Sequence, residues 1–290
     1  MQPTRDGRYV DGTLGAGGHA RGILEACTPD GLLLGLDVDP QALALARETL
    51  APYEPRIHLV QASYTTLKEQ LAAVNWDSVD GIVLDLGASS MQFDTAERGF
   101  SFMQDGPLDM RFGPHVLQSA ADILNSLPEK DIADFIFRYG EDRDARKIAR
   151  AIVDKRPLHT TFELVAVIER ASPRRGERIH PATKTFQALR IVVNDELASV
   201  ESVLPQAVAG LGSGGRLAVI SFHSLEDRIV KDYFRSQSKD LINPPYEQIY
   251  EVERKAILKE IIRKPIVASE EEINSNPRAR SAKLRIVEKI

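Results

Sequence analysis

The chain has 290 residues, 43% hydrophobic and 27% charged, with a formal net charge of −5 at pH 7. That balance is ordinary for a globular protein; it excludes a uniformly basic nucleic-acid coat but leaves room for a local basic face. Cys27 is the only cysteine, so internal disulfides and cysteine-rich metal sites are excluded, and no metal site is read elsewhere. No apolar run is long enough to span a bilayer and MQPTRDGRYV has no signal-peptide core, so a cytoplasmic protein is expected, with its oligomeric state left open.

Short β-rich runs alternate with helical stretches over the first third of the chain, the pattern of a parallel doubly wound sheet. Residues 8–10 read as a strand, followed by a glycine turn and a helix over 20–26. Strands follow at 32–36, 57–61 and 82–86, with helices at 40–50 and 67–74 between them. The last strand has the apolar continuity of one covered on both faces. From 99 to 183 the pattern turns helical and loop-rich, with helices expected at 131–139, 144–153 and 162–170. The α/β rhythm then resumes with one long helix over 186–204, a strand at 216–222, a helix at 226–236 and a strand at 283–288. The reading is an α/β domain made of 1–98 and 184–290, interrupted by a helical insert at 99–183.

The strongest local signal is Asp11-Gly12-Thr13-Leu14-Gly15-Ala16-Gly17-Gly18-His19, directly after the first strand. Glycines let the backbone turn sharply and let a ligand approach the main chain. Residues 15–20 also fit the dinucleotide fingerprint, so the glycines alone do not choose between a nicotinamide cofactor and S-adenosylmethionine. Asp11 favours the latter, because a carboxylate there repels a pyrophosphate and suits an ammonium and a sulfonium. Asp37, at the end of the second strand, is placed to hold a ribose diol, while Asp39 before Pro40 reads as a helix N-cap. Tyr64 after the third strand can pack on adenine or serve as a core residue, and Asp85 ends the fourth strand at the same sheet edge.

Long blocks of the sequence resemble the ribosomal RNA small-subunit methyltransferase H family, also called MraW. They are YVDGTLGAGGHA at 9–20, LDLGASSMQFDTAERGFSFMQDGPLDMRF at 84–112, HPATKTFQALRI at 180–191, GGRLAVISFHSLEDRIVK at 214–231 and NPRARSAKLR at 276–285. The resemblance implies a class I, Rossmann-like S-adenosylmethionine-dependent methyltransferase with an inserted helical substrate-recognition domain. It further implies methylation of a cytidine N4 amine in 16S rRNA of the small ribosomal subunit. By motif position it assigns the cofactor to Gly17, Gly18, His19, Asp37, Tyr64, Asp85 and Gln92. The family pattern extends further N-terminal than Met1, and Thr13 stands where the common methyltransferase loop has its first glycine.

A cytosine amine is a poor nucleophile that must be held in line with the donated methyl group while its proton is accepted. Asp85, Asp109 and Asn194 are the candidate acceptors, and His223 is a further residue that could face the substrate. Capping or ion-pair roles compete for Asp109 and Asn194. Methylation at C5 would need a cysteine, and Cys27 lies in an expected helix away from the fourth-strand edge. For RNA, residues 170–190 gather six basic side chains against one acid, among them Arg174, Arg175, Arg178, Lys184 and Arg190. A second basic run covers Arg278, Arg280, Lys283, Arg285 and Lys289. A solvated charge run is the competing reading of each. A nicotinamide dehydrogenase, a methyltransferase acting on DNA or small molecules, and a non-catalytic assembly factor are the alternatives.

Overall fold

The computed structural model describes residues 1–173, 180–240 and 254–290, which form two compact units, 1–87 with 197–290 and 88–196. The divisions fall at 87/88 and 196/197, outside the expected 98/99 and 183/184. In chain order the first unit begins β1 (Arg8–Asp11), α1 (Gly18–Ala26), β2 (Leu32–Asp37), α2 (Pro40–Leu50), β3 (Ile57–Gln61), α3 (Leu67–Ala73) and β4 (Val79–Asp85). The second unit holds α4 (Ser90–Asp94), α5 (Ala120–Ser126), α6 (Glu129–Gly140), α7 (Ala145–Lys155), α8 (Thr161–Ala171) and α9 (Ala182–Asn194). The chain continues through α10 (Glu196–Gly210), β5 (Leu211–Ser221), α11 (Ser224–Gln237), β6 (Leu258–Glu260), β7 (Ile266–Val267), α12 (Glu270–Ser275) and β8 (Lys283–Lys289).

The strands of the first unit form one sheet in the order β3-β2-β1-β4-β5-β8-β6, with β7 paired to β8. β1 to β5 are parallel, and β8 runs antiparallel against β5 and β6. Strand alternation sends Val10, Leu34, Leu36, Ile82 and Leu84 into one core with α3, α10 and α11. Tyr9, Leu33 and Val83 enter a second core with α1 and α2. Both faces are therefore covered, as the continuous apolar runs of the inner strands require. Chain order reverses between β1 and β4, so a crevice forms beyond the carboxyl ends of these two strands, where open α/β sheets take their ligands. Asp39 caps α2 by accepting from the Gln41 N–H at 3.0 Å, with Pro40 in the first turn.

The helical unit has its own core, built on Ile132, Ile136, Ile148, Ile152, Leu164, Ile168 and Leu189. Its helix starts at Ser89, Ser119 and Thr160 are reciprocal capping boxes with Gln92, Asp122 and Glu163. The single long helix expected over 186–204 is two helices. Asp195 takes φ 49°, a left-handed conformation that ends α9 with its N–H on the Ile191 carbonyl, and α10 starts afresh at Glu196. Among the described residues no helix is long and apolar enough to cross a membrane.

Candidate active site

The glycine loop is tied to both strands that flank β1. The Gly12 N–H donates to the Val83 carbonyl at 3.0 Å and the Leu14 N–H to the Leu36 carbonyl at 2.9 Å. Gly15 and Gly17 take φ 53° and 85°, which a side chain would strain, and Gly17 is the N-cap of α1. Gly18 is different: a Cβ there would meet no atom within 4 Å, so packing does not require glycine at this position. What glycine keeps clear is the approach to the unpaired N–H groups at the start of α1.

Three carboxylates surround the loop. Asp37 accepts the Gly15 N–H on one oxygen and the Asp39 N–H on the other, both at 2.8 Å, and burial raises its pKa against the pull of these amides. Asp11 is fully buried; one oxygen accepts the Thr13 N–H at 3.2 Å and the other has no partner. Burial first, opposed by His19 and the Thr13 amide and reinforced by Asp85 and Asp37, lifts its pKa to about 7. Asp85 approaches His19 Nε2 at 3.4 Å through Oδ2, leaves Oδ1 buried without a partner, and is anchored through its N–H on the Thr13 hydroxyl at 2.6 Å. The hydrogen bond to Asp85 raises the His19 pKa, outweighing burial. Tyr64 opens a short 3₁₀ turn, half-buried, and an added Cβ on Gly12 would lie 3.4 Å from the Tyr64 Cβ.

Gly17, Gly18, His19, Asp37, Tyr64 and Asp85 thus lie around the carboxyl edge of β1 to β4. Thr13, which stands in the sequence only as a departure from the glycine pattern, is the tether that fixes Asp85; a hydroxyl in a loop of glycines was its signal. Two buried carboxylate oxygens without protein partners, on Asp11 and Asp85, fit a ligand that brings positive charge or N–H groups. S-adenosylmethionine brings an ammonium and a sulfonium. Its residues would be the α1 start for the carboxylate, Asp37 for the ribose and Tyr64 for the adenine.

Gln92 lies in the helical unit, buried, with its side chain closing the Ser89 capping box and its amide reaching the Phe112 carbonyl at 3.5 Å. Asp109 is gripped at two points by Arg111, at 2.6 and 2.9 Å; burial raises its pKa, but these bonds outweigh it and hold the carboxyl low. Asn194 accepts the Phe112 N–H at 2.7 Å and donates to the Met110 and Arg190 carbonyls. It pins the chain beside Met110, whose φ is 59°. Asp109 is therefore held in the ion pair that competed with proton acceptance, while Asn194 clips backbone of the helical unit, a role the sequence did not suggest. His223 is the N-cap of α11, its Nδ1 accepting the Glu226 N–H at 3.4 Å.

The expected RNA cations divide. Arg190 makes a nearly buried two-point pair with Glu196 at 2.7 and 2.8 Å, a structural role that competes with phosphate binding. Lys184 donates to the Glu141 carbonyl at 2.9 Å, beside the end of α6. Arg174, Arg175 and Arg178 lie outside the described residues. In the second basic run, Arg285 and Lys283 converge on Asp227 at 2.7 and 3.2 Å, and Lys289 donates to the Ala209 and Leu211 carbonyls. Most of that charge is internal to the fold.

A parallel sheet with a glycine loop at its switch point is the architecture of the S-adenosylmethionine-dependent methyltransferases of the Rossmann-like type. The chain belongs to the MraW methylase family, whose model matches residues 1–290. It is 52% identical to the Ribosomal RNA small subunit methyltransferase H of Geotalea uraniireducens, over all of this chain and 95% of that one. It is also 52% identical to the protein of the same name from Dehalococcoides mccartyi, over 98% of this chain and 81% of that one. A methyltransferase from Streptococcus mutans, solved in complex with SAH, is 11% identical with a TM-score of 0.45, covering 99% of this chain and 91% of its own.

Proposed function

We propose that the chain methylates the N4 amine of a cytidine in 16S rRNA, acting in the cytoplasm on the small ribosomal subunit. The observation that carries this reading is the 52% identity, along the whole chain, to a relative named for small-subunit rRNA methylation. The cofactor supplies an electrophilic methyl group; the protein's part is to bind, align and take up a proton. Gly17, Gly18 and His19 hold the donor at the start of α1, Asp37 and Tyr64 orient its nucleoside, and Gln92 is the further residue that the family resemblance assigns to the donor. Asp85 is the proposed acceptor of hydrogen bonds from the amine, because its free oxygen is unengaged while Asp109 and Asn194 are committed elsewhere.

No covalent enzyme intermediate is needed for amine methylation. Cys27 could not provide one: it is fully buried, and burial raises its thiol pKa, so it stays protonated. The helical unit, 88–196, is proposed as the substrate-recognition domain, with Arg174, Arg175, Arg178 and Lys184 holding phosphates. Mass spectrometry of small-subunit RNA from cells with and without the gene tests the reading. An N4-methylated cytidine should be lost with the gene and restored by it; an unchanged nucleoside profile would refute the substrate.

A further inference from the structure

Arg190, Lys283 and Arg285, offered by the sequence for RNA, are paired with acids in the fold, but the start of α7 carries an unpaired set. Its apolar side, Ala145, Ile148, Ala149 and Ile152, is buried in the core of the helical unit. Its other side exposes Arg146 and Arg150 one turn apart, and Arg143 is exposed in the turn that leads into the helix. Among the described residues none of these three has an ion-pair or hydrogen-bond partner, whereas Lys147 beside them is held by Asp144 at 2.9 Å. Arg146 and Arg150 are separated by roughly 6 Å of helix rise.

This stripe breaks two local rules without an internal return. Like charges at i and i+4, as at Arg146 and Arg150, destabilise a helix. Arg146 also lies in the first turn of α7, which holds no acid, against the helix dipole. A surface needed only for solubility is served equally well by Glu–Lys pairs. Local inconsistency with no structural compensation marks a surface kept for a partner. Unpaired guanidiniums in a row on one helix face match a polyanion, each able to grip a phosphate at two points.

We propose that Arg143, in the turn before α7, and Arg146 and Arg150 on α7 hold the phosphate backbone of the rRNA substrate. This rests on the rRNA reading above. The test compares the full chain with R143Q/R146Q/R150Q and with R143K/R146K/R150K. It measures binding to unmethylated small subunits across salt, methyl transfer to them, and S-adenosylmethionine affinity by calorimetry. With its three phosphate-gripping charges removed, the glutamine variant should show a log–log salt slope shallower by about two to three units, weaker subunit binding and unchanged cofactor affinity. The lysine variant should keep most of the parental slope, which separates charge from folding. A glutamine variant with the parental slope and methylation overturns the proposal. If the parent itself transfers no methyl group to the subunit, the substrate reading falls and the proposal falls with it.

Discussion

Replacing Asp11 by Asn should flatten the pH dependence of the sheet unit's stability. Asp11 is fully buried with one oxygen unpartnered, and its pKa stands at about 7 against 3.8 for an ordinary aspartate. At pH below 3.8 the carboxyl is neutral folded and unfolded, and contributes no pH dependence. Between 3.8 and about 7 the unfolded chain has released the proton while the folded chain holds it. The folded state therefore binds more protons, and stability falls as pH rises through that window. Above about 7 both states are ionised and the penalty is constant. About three pH units at ~1.4 kcal/mol each give a loss on the order of 4 kcal/mol. Asn keeps the acceptor for the Thr13 N–H but cannot ionise, so the variant lacks this loss, whatever its absolute stability. Trp76, the only tryptophan, is buried in the sheet unit's core, so its fluorescence reports urea unfolding of that unit. Without cofactor, the parent should lose several kcal/mol more than D11N between pH 4 and pH 7.5. Parallel curves for the two proteins would refute the burial argument.

Gly18→Ala should leave the unfolding free energy unchanged or raise it by ~0.4–1 kcal/mol, because an added Cβ meets nothing within 4 Å. It should still weaken S-adenosylmethionine binding tenfold or more, and full affinity by calorimetry would move the donor away from the α1 start. Asp37→Ala should weaken the same binding by ~1.5–3 kcal/mol, since it removes ribose hydrogen bonds and the anchor of the Gly15 N–H; an unaltered dissociation constant would count against this. Arg190→Ala should destabilise the helical unit by ~3–5 kcal/mol through the stranded Glu196 carboxylate, with no change in the salt slope of subunit binding. A stable variant with a flattened slope would restore Arg190 as an RNA contact.

The elements up to β4 were legible because their signals are local. Alternating apolar residues, Asp39 before Pro40 and the glycine loop each fix a neighbour within a few residues. The break at Asp195 was not legible, because apolar spacing runs through it and no glycine or proline marks the left-handed residue. The fates of Asn194 and Arg285 were hidden for another reason. Their partners lie far along the chain, Phe112 to Asn194 across 82 residues and Asp227 to Arg285 across 58. Charge clustering in sequence does not reveal that Lys283 and Arg285 are paired with an acid so distant along the chain. The unpaired stripe on α7 was present in sequence but mixed among Asp142, Asp144 and Asp154; only the fold separates its faces.

The placement of β8 has a consequence for the order in which the molecule can form. Residues 88–196 are contiguous, so the helical unit can fold as soon as its own stretch has been synthesised. The sheet cannot. β5 gains its second neighbour only when β8 pairs with it antiparallel, and the Ser221–Lys283 end of that pairing closes a separation of 62 residues. β6, made earlier, must wait for the same strand before it has any partner in the sheet. During translation the half-built methyl-donor domain therefore exposes a free β5 edge, a hazard for misassociation until the final strand emerges.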